Sequence, residues 1–88
     1  MITLVYGNHF LKSARKLPKS QQKKLAKLLE IIQKNPFHSQ LHTKLLTEKL
    51  AGLYSFRITR DWRVIFQFLS PDKIQLIDVA HRKDIYKQ

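Results

Sequence analysis

Between residues 53 and 69 the chain alternates so regularly that few backbone paths satisfy it. Tyr54, Phe56 and Ile58, then Trp62, Val64, Phe66 and Phe68, fall in one parity class, and all are apolar. Ser55, Arg57, Thr59, Arg63, Ile65, Gln67 and Leu69 make up the other, which is mixed and carries two arginines. β-Branched and aromatic residues at period two read as a pair of strands joined by a short loop. A two-residue loop at Arg60 and Asp61 would pair Ile58 with Arg63 and Phe56 with Ile65, mixing the classes. A three-residue loop over 59–61 pairs Ile58 with Trp62 and Phe56 with Val64. A slip of one residue turns every side chain to the other face, so burial selects the second register. That register sets Arg57 opposite Arg63. Like charges across a strand pair cost a few tenths to about 1 kcal/mol, so the pairing calls for an anion from outside the chain.

Charge agrees with that demand. Seventeen Lys and Arg against six Asp and Glu give a formal charge of +11. A field of this strength on so small a body points to a polyanionic partner: nucleic acid, an anionic membrane or an acidic protein. Eighty-eight residues make a single domain, 1–88, with one modest core and no cofactor-sized cavity. A hydrophobic content of 43%, with five Phe, three Tyr and one Trp, places the chain among globular proteins. The absence of cysteine removes disulfides and Cys-based zinc sites, and fits a reducing cytosol. The first residues carry neither a charged leader nor a long apolar run, and no segment has the length of a membrane span. The expectation is a cytoplasmic protein without a membrane anchor.

Around the hairpin the other elements are simpler. Residues 2–6 carry a strand signal ended by Gly7 and Asn8. Phe10, Ala14 and Leu17 recur at helical spacing before Pro18. Over 19–34, Leu25, Leu28, Leu29 and Ile32 form an i, i+3, i+4, i+7 stripe with Ile31 at its margin. Lys23, Lys24, Lys27 and Lys34 fall off that stripe and read as a solvated face. Asn35-Pro36 closes this helix. Residues 37–52 read as a loop with one turn of helix; His38 and His42 there lack a third ligand and read as exposed loop histidines. Residues 70–73 form a turn, and 74–80 a strand with Ile77 and Val79 on one face and Ile74 and Leu76 on the other. The order is β-α-α-β-β-β. The fold class is therefore α+β, with two N-terminal helices packed on one face of a mainly antiparallel four-stranded sheet and a short C-terminal tail.

Basic residues concentrate late: Lys44, Lys49, Arg57, Arg60, Arg63, Arg82 and Lys83. Arg57 and Arg63 share a face, and Arg82 ends the next strand on a side that the turn over 70–73 leaves open. Three guanidiniums around a groove would form a fork-shaped phosphate site. They suit transition-state charge stabilisation better than proton transfer, because arginine stays charged at any working pH. Proton-transfer candidates nearby are His81, Asp84, Tyr86 and Lys44. His81 reads equally as an acid or base and as a structural strand end, and Tyr86 equally as a site residue and as a core cap. Trp62 belongs by parity to the core rather than to a base-stacking platform. This inventory is sufficient for attack of an RNA 2′-hydroxyl on the adjacent phosphate, a reaction that needs no metal. The chain has no Gly-rich phosphate loop, since Gly7 and Gly52 are its glycines, and no recognisable Ser/His/Asp spacing.

The run Gly-Leu-Tyr-Ser-Phe-Arg-Ile, the Trp-Arg-Val-Ile-Phe that follows it and the terminal Val-Ala-His-Arg-Lys-Asp-Ile-Tyr resemble the RelE/ParE toxin superfamily of bacterial type II toxin–antitoxin modules. The resemblance spans essentially the whole chain and is most specific over 53–66 and 79–86. For the RelE-like branch it implies a ribosome-dependent endoribonuclease that cuts mRNA, uses no cofactor and is neutralised by a cognate antitoxin protein. Carried over by motif, Arg57 matches a basic catalytic position, Arg63 the arginine that contacts the scissile phosphate, and Arg82 a phosphate stabiliser or proton donor. Tyr86 matches the aromatic that stacks on or orients the mRNA. His81 is grouped with these as a catalytic candidate, and Lys44, Lys49, Arg60 and Lys83 as RNA-binding positions. Ser55 stands where some relatives have a second lysine, and Lys44 where some place a glutamate base, with Glu48 four residues on. The resemblance equally admits a ParE-like, non-enzymatic toxin that poisons DNA gyrase. A general basic nucleic-acid-binding module is a third reading; its affinity would fall with salt over the whole basic surface.

Overall fold

The computed structural model describes residues 1–86, with side chains through Ile85. In chain order the elements are β1 (Thr3–Tyr6), α1 (Asn8–Arg15), α2 (Lys19–Lys34), β2 (Lys44–Leu45), β3 (Tyr54–Arg57), β4 (Trp62–Ser70), β5 (Lys73–His81) and α3 (Arg82–Tyr86). The hairpin adopts the register that burial selects. Phe56 faces Val64 and Arg57 faces Arg63, while the Trp62 carbonyl accepts from the Ile58 and Thr59 N–H groups at 2.9 and 3.2 Å. The connection is therefore the three-residue loop 59–61.

The sheet has the order β1-β5-β4-β3-β2, with β1 parallel to β5 and the other pairs antiparallel. It has five strands rather than four. The additional strand is β2, inside the segment that reads as a loop, with Lys44 opposite Ser55 and Leu45 opposite Tyr54. Two residues cannot display a period of two, so alternation gives no sign of it. On either side are 3₁₀ turns at Ser39–Leu41 and Glu48–Leu50, and His42, Glu48 and Gly52 turn the chain with positive φ. The expected C-terminal tail is likewise a short helix, α3, held by the burial of Ile85 against Leu46 and Ile65.

Both long helices lie on one face of the sheet, as their apolar stripes require. Phe10, Leu25, Leu28 and Ile32 pack with Phe56, Ile58, Val64, Phe66, Ile74, Leu76 and Val79 into the main core. Each such side chain contributes roughly 1.5–3 kcal/mol relative to exposure. The lysines at 23, 24, 27 and 34 stay exposed. Strand β5 departs from simple alternation. Ile65 pairs with Asp78 but Phe66 with Leu76, so Ile77 is an extra residue. A bulge of this kind reverses the parity beyond it. Val79 thus joins Ile74 and Leu76 in the main core, whereas Ile77, expected beside Val79, packs against the small cluster on the opposite face. The same bulge turns Asp78 toward α1, where it accepts from Ser13 Oγ at 2.7 Å and lies 3.3 Å from His9 Nε2.

Gly7 makes the join between β1 and α1 possible. Its N–H donates to the Leu76 carbonyl at 3.0 Å, and a Cβ there would stand 2.7 Å from that oxygen. Gly7→Ala should accordingly destabilise the fold by about 1–3 kcal/mol, read as a lower midpoint in urea unfolding. An unchanged midpoint would show that the contact between Gly7 and the Leu76 carbonyl of β5 yields without cost.

Candidate functional site

The sheet face away from α1 and α2 carries the second parity class of the hairpin. Cross-strand partners share a face, so two neighbouring rows can be read from the register. One runs Lys44, Ser55, Ile65; the next runs Arg57, Arg63, Ala80. Leu46, Ile65 and Ile85, with Leu50, Leu53, Ile77 and Ala80, form a small apolar cluster beside these rows. It carries α3 over this face.

Packing leaves the polar groups of the face unusually enclosed. Ser55 of β3 is 0% exposed and Arg63 of β4 6%, although neither lies in the main core. Arg63 Nη2 donates to the Arg60 carbonyl at 3.2 Å. Arg82 donates its N–H to the Asp61 carbonyl at 2.7 Å, and its Nε lies 3.6 Å from Asp61 Oδ1. Arg63 and Arg82 are thereby fastened to adjacent residues of the 59–61 loop, one from each side. Arg57 differs: its Nε is buried without a hydrogen-bond partner among the described residues, as is Ser55 Oγ. A buried donor left unmade costs about 1–3 kcal/mol, and more when charged. Spacing of i, i+2 puts these two donors on one face, beside a second guanidinium that repels the first. Two unmade donors and paired positive charges are complementary to an oxyanion with several acceptor oxygens.

The sequence candidates divide accordingly. Arg57 and Arg63 are brought together, while Arg82 is tied to the adjoining loop at Asp61. Lys44 lies on the same face, by its pairing with Ser55, and Asp84 lines a crevice with Ile65, Ala80 and Ile85. Lys49, Arg60 and Lys83 are exposed at the margins. His81 does not belong to this group. It pairs with Trp62, stands edge-on to the indole at 5.2 Å, and so faces the helix side of the sheet. Its Nδ1 accepts from the Lys83 N–H at 3.2 Å, a contact that starts α3. The register itself carries this correction, because Arg63 opposite Ala80 leaves residue 81 opposite Trp62. The Tyr86 side chain lies outside the described residues. Ser55, to which sequence reasoning assigned no role, enters the site through its parity with Arg57. His38 Nδ1 accepts from the Gln40 N–H at 3.1 Å within a local turn. Among the described residues no group of three His, Cys, Asp or Glu is placed to hold a metal, and no helix is long and apolar enough to cross a membrane.

Comparison with known proteins follows the same outline. Among solved structures, the YoeB/ParE toxin from Agrobacterium tumefaciens superposes with a TM-score of 0.77 at 19% identity, over 92% of this chain and 99% of that one. YafQ from E. coli gives 0.77 at 17% identity, over 98% and 99%. An archaeal RelE–RelB complex from Pyrococcus horikoshii gives 0.76 at 20% identity, over 92% and 94%. At these identities the likeness speaks for the fold. No curated protein matches the sequence. The profile described as the RelE-like toxin of the type II toxin–antitoxin system HigB matches residues 6–81, most of the chain. The chain therefore belongs to the HigB-like family of RelE-like type II toxins.

Proposed function

We propose that this chain is the toxin of a type II toxin–antitoxin module and acts in the cytoplasm as a ribosome-dependent endoribonuclease on mRNA. The observation that carries this reading is the enclosed Arg57–Arg63 pair with the unmade donors Ser55 Oγ and Arg57 Nε beside it. An inhibitor that works by protein contact alone has no use for such a phosphate cradle. The reaction is attack of a ribose 2′-oxygen on the adjacent phosphorus, which expels the 5′-oxygen and leaves a 2′,3′-cyclic phosphate and a 5′-hydroxyl. The nucleophile belongs to the substrate, so the protein supplies alignment, charge and two proton transfers. Arg57, Arg63 and Arg82 would neutralise the dianionic phosphorane, and Ser55 would donate to one of its oxygens. One proton leaves the 2′-oxygen and one arrives at the 5′-oxygen. Lys44 and Asp84 are the described groups on this face suited to those transfers, with Tyr86 the further candidate from the motif. A cognate antitoxin is the expected protein partner, a reading supported by the RelE–RelB assembly of the archaeal relative.

Two measurements test the reading. In bacteria expressing the chain, primer extension should map cuts within translated codons, and Arg63→Ala or Arg82→Ala should slow cleavage about 10²–10³-fold. Growth arrest with intact mRNA and DNA damage would instead identify a gyrase poison. Ser55→Ala should separate stability from activity. Removing a buried hydroxyl that has no partner among the described residues should leave urea stability unchanged or raise it by about 1 kcal/mol. The lost hydrogen bond to a charged group should meanwhile slow cleavage roughly 10-fold or more. A variant both less stable and fully active would assign Ser55 a structural role only.

A further inference from the structure

A second cavity opens on the opposite side of β4 from the arginines. It measures about 400 Å³ and is lined by Lys16, Leu17, Pro18, Gln21, Trp62 and Val79, with Ser13 at its edge. The crevice between α1 and α2 is smaller, about 230 Å³. Parity assigns Trp62 to the main core, and it does pack against that core; its indole also forms a wall of this opening. The His81 ring braces the indole edge-on at 5.2 Å, leaving a flat apolar wall held at a fixed angle. Leu17 and Val79 are buried below it. The amide of Gln21 offers a polar group here: its Oε1 is buried and has no hydrogen-bond partner among the described residues. The terminal torsion of glutamine is soft, so that acceptor can turn toward an occupant. The mouth carries exposed Lys16, next to Arg15 and Lys19, and none of the lining side chains is acidic.

We infer that this cavity is a nucleobase pocket for the RNA strand, separate from the cradle for the scissile phosphate. A planar ring would lie against Trp62, the sequence-tolerant stacking that holds single-stranded bases on aromatic side chains. An exocyclic amino group or ring N–H would complete Gln21 Oε1, and Lys16 would meet the phosphate of the same nucleotide. Trp62 and Arg63 are successive residues of β4 on opposite faces, at the end of the strand where the 59–61 loop turns. A strand bound at the arginines and led around that loop arrives at the indole. A side chain from a protein partner would satisfy the apolar wall, but it would leave the amide and the lysine without their joint use. The inference extends the RNA-directed reading above; its test reads Trp62 and not cleavage, so either can fail without the other.

Trp62 is the only tryptophan in the chain, so its emission can be followed without interference from a second indole. The full-length protein should be titrated at constant ionic strength with 5′-AMP, 5′-GMP, 5′-CMP and 5′-UMP, and with ribose 5-phosphate. Saturable quenching by at least one mononucleotide, and none by ribose 5-phosphate, is expected. Gln21→Leu should weaken binding about 2- to 10-fold, the range of one neutral hydrogen bond. Lys16→Gln, at an exposed position that leaves the core intact, should weaken it and reduce its salt dependence. The proposal is overturned if no nucleotide quenches Trp62, or if ribose 5-phosphate quenches it equally. It is overturned as well if neither substitution changes the titration, or if the response disappears in Arg57→Leu, which would place the nucleotide on the other face.

Discussion

The pairing of Arg57 with Arg63 is the constraint to which the rest of the site answers. Nothing in the hairpin's own energetics favours it: like charges opposed across two strands repel. It exists because Phe56, Ile58, Val64 and Phe66 must all reach the main core, and the alternation that sends them there sends the arginines together on the other side. Hydrophobic burial of several side chains, at roughly 1.5–3 kcal/mol each, outweighs a repulsion of at most about 1 kcal/mol. The fold therefore holds two guanidiniums side by side on one face of the sheet. Preorganised charge of this kind serves catalysis, because no reorganisation is left to be done when the reacting phosphate gains charge.

Structure around the pair sharpens that function. The 59–61 loop is held from both sides, by Arg63 through the Arg60 carbonyl and by Arg82 through Asp61. The arginines are thus positioned by the backbone whose turn they stabilise. Helix α3 and β2, both too short to be stable alone, are kept in place by the cluster of Leu46, Ile65 and Ile85. Ser55, paired with Ile65 of that cluster, is fully buried on the same face. The second opening, at Trp62, lies on the opposite face of the same strand, so a single nine-residue strand presents charge on one side and an aromatic wall on the other.

How much of this was legible in the sequence depends on the length of each signal. The hairpin register, the stripe of α2 and the Arg57–Arg63 pairing all follow from patterns sustained over many residues, and the structure has them. β2 is two residues long and α3 five, which is below what any periodicity can register. The bulge at Ile77 is invisible to alternation because it is a break in alternation; it moved Val79 into the main core and turned Asp78 toward α1. His81 reads from the sequence equally as an acid or base and as a structural strand end, because the turn over 70–73 leaves the register of β5 open; the observed register puts it on the helix side beside Trp62. Ser55 is noted in the sequence only as a departure from the family pattern; what distinguishes it is complete burial without a hydrogen-bond partner among the described residues, which only packing reveals.

The central claim, that the pairing of Arg57 with Arg63 forced by burial makes a site for an anion, can be tested on the interaction itself. A double-mutant cycle built from Arg57→Leu, Arg63→Leu and the pair isolates their coupling from the rest of each side chain's contribution. Urea unfolding of the four proteins should be run in chloride and again in phosphate at matched ionic strength. The account predicts a coupling that opposes folding in chloride and becomes favourable in phosphate, as a shared anion turns repulsion into cooperation. A coupling that is the same in both salts would contradict it.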